Sequence, residues 1–172
     1  MNAVSQDIAT IVGHFVGCSL DNRKDELAQL VARGVDDPNQ IVQVATNCGT
    51  FSLGILWKLG IKHPILEKKY VSGMAIADLI TIGHDLKCMH AFDGKTFPTQ
   101  GCLILYHMNG NDYHAEWFLT DPDDKHVAIH AGGGRSRNAV TASTSDIRWN
   151  VGRQIWQWLD VPSLCQTQIV TT

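Results

Sequence analysis

The sequence predicts an α+β fold, with N-terminal helices packed on an antiparallel β-sheet, and a change of pattern along the chain predicts it. Up to about residue 90, apolar residues recur at three- and four-residue spacing between capping and helix-ending residues. From Cys102 onward, short alternating or β-rich segments are separated by turn residues. Helices first and strands after is the order of a segregated α+β domain, not of alternating βα units. The 172 residues suffice for one sizeable core, and no repeat, linker or low-complexity stretch divides them, so residues 1–172 are read as a single domain.

In chain order, Ser5 is the expected cap of a first helix carrying Ile8, Ile11 or Val12, and Phe15 inward and ending at Gly17. A second helix follows Asp21, buries Leu27, Leu30 and Val31, and stops at Gly34. Asp36-Asp37-Pro38 opens either a short helix or an approach strand to Ala45. Thr46 or Asn47 caps the next helix, with Phe51, Ile55 or Leu56, and Leu59 on one face and Gly60 at its end. Lys62-His63-Pro64 breaks the pattern, and Ser72 opens a helix burying Ile76, Leu79, Ile80 and Leu86. Strands are expected at Cys102 to Met108, Tyr113 to Leu119 and Val127 to Ala131, joined by turns at Asn109-Gly110-Asn111 and Asp121-Pro122-Asp123-Asp124. Val140-Thr141-Ala142 is a further strand, and Ile155 to Leu159 a strand or short helix before a polar tail.

Composition excludes several classes. At 44% hydrophobic and 18% charged the chain reads as an ordinary globular protein, and a net charge of −3 offers no electrostatic footprint for nucleic acid. No apolar run approaches the length of a membrane span, and Met1 to Asp7 lacks the basic and apolar regions of a signal peptide. Cys18, Cys48, Cys88, Cys102 and Cys165 are odd in number and lack metal-ligand spacing, so neither a disulfide framework nor a structural zinc site is expected. His84, Cys88 and His90 fall close together but lack a fourth ligand, and are read as surface or packing residues. No cofactor is expected.

Cys48 falls in the first turn of its helix, where unpaired amides and the positive end of the helix dipole favour a thiolate. A nucleophile of this kind needs a base, and the strands supply candidates. If the Asp121–Asp124 turn is centred near Pro122-Asp123, residue numbers summing to about 244 or 245 face each other, which places His114 opposite His130 or Ala131. Opposed side chains lie close enough for one imidazole to orient the other. His114, Glu116 and Phe118 share one strand face, while Tyr113, Ala115, Trp117 and Leu119 share the other. Cys48 as nucleophile, His114 as general base and His130 as orienting residue is the assignment these positions give.

These segments resemble the NlpC/P60 family, a compact branch of the papain-like cysteine peptidases. Asn47-Cys48-Gly49-Thr50-Phe51 is similar to the family's cysteine segment, and Gly101-Cys102-Leu103 to its "Gly-Asp-Leu" strand. His114-Ala115-Glu116-Trp117-Phe118 is similar to the strand bearing its base, and Ile129-His130-Ala131 to the segment that follows. The resemblance runs from about Thr46 to Gly134, half the chain. It implies a papain-like fold and an amidase or endopeptidase acting on peptidoglycan stem peptides through an acyl-enzyme on Cys48. It departs from the family in two places. No Tyr precedes Cys48, so the oxyanion would rest on the Cys48 amide and a donor such as Asn47, Thr46 or Gln43. Glu116 stands where the family carries glycine, where a carboxylate two residues from the base either raises its pKa or contacts substrate.

Three other readings compete. His114-Ala115-Glu116 matches the zinc-binding segment of nucleoside deaminases, but Pro162-Ser163-Leu164-Cys165 is only part of the second segment that site requires. The other two alternatives are a papain-like hydrolase or transferase of a non-wall amide and an inactive papain-like binding module. The expected enzyme is made in the cytoplasm and acts in the cell wall or periplasm after release or delivery. A phage lysin or a secreted antibacterial effector fits, the latter with delivery machinery and an immunity protein as partners.

Overall fold

The computed structural model describes residues 3–18, 24–33, 47–67, 75–108, 113–119, 128–131, 140–143 and 153–169. Within them the chain is α+β. Six helices, α1 (Ala3–His14), α2 (Lys24–Ala32), α3 (Cys48–Lys58), α4 (Pro64–Glu67), α5 (Ala75–Asp85) and α6 (Val161–Ile169), accompany β1 (Met89–Ala91), β2 (Leu103–Met108), β3 (Tyr113–Phe118), β4 (Ala128–Ala131), β5 (Val140–Ser143) and β6 (Arg153–Leu159). The strands form one sheet in the order β1-β6-β2-β3-β4-β5, every neighbouring pair antiparallel.

The sheet has two covered faces. Leu103 and Leu105 of β2, Ala115 and Trp117 of β3 and Leu159 of β6 join the helical side chains Ile8, Val12, Leu27, Phe51, Ile55 and Leu79 in the main core. Ile104, Tyr106, Phe118 and Trp158 form a second cluster on the opposite face, against Phe92 and Phe97. Burial on both sides is why Cys102 to Tyr106 is an unbroken apolar run without alternation.

Helix α3 lies at the centre of the helical layer, packed against α2, α4, α5, β3 and β4. Every residue from Gly49 to Leu56 is buried, so the expected single apolar face gives way to a helix buried all round. Its two glycines make the close packing possible. A β-carbon on Gly54 would lie 2.6 Å from the Leu30 carbonyl oxygen of α2, and one on Gly49 would lie 2.5 Å from the Ala75 β-carbon of α5. The helix ends as expected at Gly60, whose φ of +78° and Gly60 N–H to Trp57 and Ile61 N–H to Leu56 bonds complete a left-handed C-cap.

Several local expectations need correction. Ser5 is a buried residue inside α1, which begins at Ala3. The tail after Leu159 is helical, because Asp160 caps it through the Ser163 amide (3.1 Å) and hydroxyl (2.7 Å), and Val161, Leu164 and Cys165 enter the core. Strand β1 adds an edge to β6 that was not expected. The segment from Asp36 to Ala45 lies outside the described residues.

The β3–β4 register is also shifted. Glu116 pairs with His130, Trp117 with Ile129 and Phe118 with Ala128, so the paired numbers sum to 246 and His130 is not opposite His114. The sum of 246 sets Ile129 across from buried Trp117 and His130 across from Glu116, polar beside polar, whereas sums of 244 and 245 would put Ala128 or Ile129 opposite the carboxylate.

Gly54→Ala is expected to lower stability by about 1–3 kcal/mol, because the methyl group meets backbone and α2 must shift. At Gly13 of α1 an added β-carbon meets nothing within 4 Å, and Gly13→Ala is expected to gain up to about 1 kcal/mol in helix propensity. Chemical denaturation of both variants checks the opposite signs.

Candidate active site

The geometry begins at the cap of α3. Asn47, extended at φ −136° and ψ 175°, accepts the Thr50 amide on its side chain at 2.8 Å, and the Thr50 hydroxyl accepts the Asn47 amide at 2.9 Å. This reciprocal capping box makes Cys48 the first helical residue. Gly49 follows, and its missing side chain admits the first residue of α5 against this turn.

The thiol meets β3. His114 makes a side-chain hydrogen bond with Cys48, and the backbone amides of Ala115 and Gly49 also bond to the sulfur. Burial alone would push the thiol up. The His114 bond and charge, with the two amides, outweigh it and hold Cys48 below the ordinary thiol range. Burial likewise works against a charged His114, but its bonds to Cys48 and Glu116 and the negative charge of both raise it to about 9. Each partner thus stabilises the other's charged form, thiolate for Cys48 and imidazolium for His114.

His114 is buried, and its Nε2 lies 3.1 Å from Oε1 of Glu116, which has no solvent exposure. Because Nε2 is engaged there, Nδ1 is the ring nitrogen left for the thiol. Tyr106, the cross-strand partner of His114, lies beside the imidazole with ring centroids 6.5 Å apart and planes 30° apart.

The structure thus brings Cys48 and His114 together as expected and adds Glu116, whose contact is with His114. His130 occupies the register position opposite Glu116 on β4. Period-two alternation had already put His114 and Glu116 on one strand face, the signal that could have paired them. Asn47 is exposed, with its side-chain oxygen committed to the cap, while Thr46 and Gln43 lie outside the described residues. His114-Ala115-Glu116 lies on a strand, and no group of three His, Cys, Asp or Glu arranged to hold a metal occurs among the described residues. His90 stacks on Trp158 at 5.5 Å, Cys88 is buried and His84 is exposed. All five cysteines are free.

No family model, curated protein or solved structure matches this chain.

Cys48 differs sharply from the other thiols. Burial raises Cys88 to about 11 and Cys102 to about 12, and also raises Cys165, while Cys18 is buried with its thiol 3.7 Å from the His14 carbonyl. Iodoacetamide at neutral pH is expected to label Cys48 first, as followed by peptide mass mapping over time. His114→Ala is expected to slow that labelling about tenfold or more, since one pKa unit is a tenfold change in the ratio of thiolate to thiol.

Proposed function

We propose that this chain is a papain-like cysteine hydrolase that cleaves an amide bond in peptidoglycan stem peptides, through an acyl-enzyme on Cys48. The observation that carries the reading is the first-turn Cys48 thiol hydrogen-bonded to the buried His114 and lowered by it. The resemblance of the segments around Cys48, Gly101, His114 and His130 to the NlpC/P60 family supports the wall peptide as substrate.

In this reading the Cys48 thiolate attacks the carbonyl carbon, forming a C–S bond as the carbonyl electrons move to oxygen. The Cys48 amide, at the start of α3, is the proposed donor to that oxyanion. Collapse of the intermediate breaks the C–N bond as His114 gives its proton to the leaving amine. Neutral His114 then takes a proton from water, whose oxygen attacks the thioester carbon. Loss of the C–S bond releases the acid and restores thiolate and imidazolium.

The protein acts, in this proposal, in the cell wall or periplasm, reached by release from a lysing cell or by a secretion apparatus. Among the described residues no helix is long and apolar enough to cross a membrane. An immunity protein that plugs the cleft is the partner expected of an effector.

Purified wild type incubated with isolated peptidoglycan is expected to release soluble fragments resolvable by mass spectrometry, and Cys48→Ala to release none. Full activity in Cys48→Ala would overturn the proposal, and absence of fragments from wild type would remove the wall peptide as substrate. The dependence of kcat/KM on pH should be bell-shaped. Its acid limb follows thiolate formation, below the ordinary thiol range, and its alkaline limb lies near 9, where His114 loses the proton the leaving amine needs.

A further inference from the structure

We propose that Glu116 is the positioning residue for His114, a role filled two residues along the same strand and not by His130 on the neighbouring one. The proposal rests on the reading of Cys48 and His114 as nucleophile and base. Its support is geometric. Oε1 of Glu116 lies 3.1 Å from His114 Nε2, which leaves Nδ1 for the thiol, and the carboxylate is fully buried on the same strand face. An ionised carboxylate only accepts hydrogen bonds, so Nε2 carries the hydrogen and Nδ1 offers its lone pair or its proton to Cys48. The β3–β4 register removes the direct opposition from which an orienting role for His130 was read, because it sets His130 across from Glu116 and not across from His114.

Among the described residues, the groups placed around the imidazole include Cys48 from α3, the Tyr106 ring from β2 and Glu116 from β3 itself. Cys48 and Glu116 contribute negative charge that stabilises the imidazolium. A neutral third residue would hold the ring equally well but would add no negative charge to stabilise the imidazolium. Glu116 therefore fixes tautomer and charge together, and because it is two residues from His114 on one strand, the two move as a unit.

The test measures the rate of Cys48 alkylation against pH, which needs no substrate and so stands apart from the peptidoglycan assay. Wild type, Glu116→Gln, Glu116→Leu and His130→Ala are compared, with circular dichroism as the check of folding. Glu116→Gln keeps an acceptor but removes the charge that holds the proton on His114, and is expected to lower the alkaline midpoint of the profile, where the imidazolium is lost, by about one pH unit from its wild-type place near 9. Glu116→Leu is expected to lower it further, and His130→Ala to leave it in place. Profiles of both Glu116 variants that superimpose on wild type, or a shift in His130→Ala as large as theirs, would overturn the assignment. A measurement on unaltered protein covers the case in which the Glu116 variants do not fold. Nitrogen-15 spectra of the imidazoles are expected to show a protected Nε2–H at His114 across neutral pH, and an Nε2 without hydrogen there would equally overturn it. Failure to digest peptidoglycan would bear on the substrate and leave this result standing.

Discussion

The capping box between Asn47 and Thr50 is the interaction on which the rest of the site depends. Two short reciprocal bonds decide that the helix begins at Cys48. A start one residue earlier or later would rotate the thiol by about 100°, away from β3. The cap is local, but what it aims at is not: His114 and the Ala115 amide come from a strand more than sixty residues further along the chain. Burial of α3 on every side holds the aim, since the helix cannot roll without displacing α2, α5 and the sheet.

The electrostatics of the pair are a contest between burial and bonding. Desolvation disfavours both charged partners, raising a thiol and lowering an imidazole, and it is the largest influence on each. Both nevertheless shift the other way. For Cys48 the opposing groups are His114 and two amides; for His114 they are Cys48 and Glu116. Cys88 and Cys102 show the outcome when burial meets no cationic partner, since both rise far above neutrality. Position in the fold, more than residue type, separates the lowered Cys48 thiol from the raised Cys88 and Cys102 thiols.

How much of this was legible in the sequence depended on the range of the interaction that fixed it. The α3 start, its Gly60 end and the β2, β3 and β4 segments were readable because their signals sit within a few residues of what they control. The β3–β4 register was not, since it depends on turn geometry that residue types only loosely specify. Helix α6 was missed for a related reason. Val161, Ser163, Cys165 and Thr167 are weak helix formers, and core contacts with the Asp160 cap override them. At the site, His114 and Glu116 were correctly placed on one face. The expectation that the carboxylate would raise the base was one of two left open, and the buried 3.1 Å contact selects it.

The close seat of Ala75 against Gly49 joins the first turn of α3 to the first residue of α5. Volume at the two positions is shared: a side chain gained at one requires space given up at the other. Sequence variation at the Cys48 turn is therefore governed partly by a helix that contributes no reacting group. Trimming Ala75 would relieve only part of the conflict, since a β-carbon on Gly49 would also lie 3.2 Å from the Ala75 carbonyl carbon and 3.3 Å from the Ile76 nitrogen, so the backbone of α5 sets the limit.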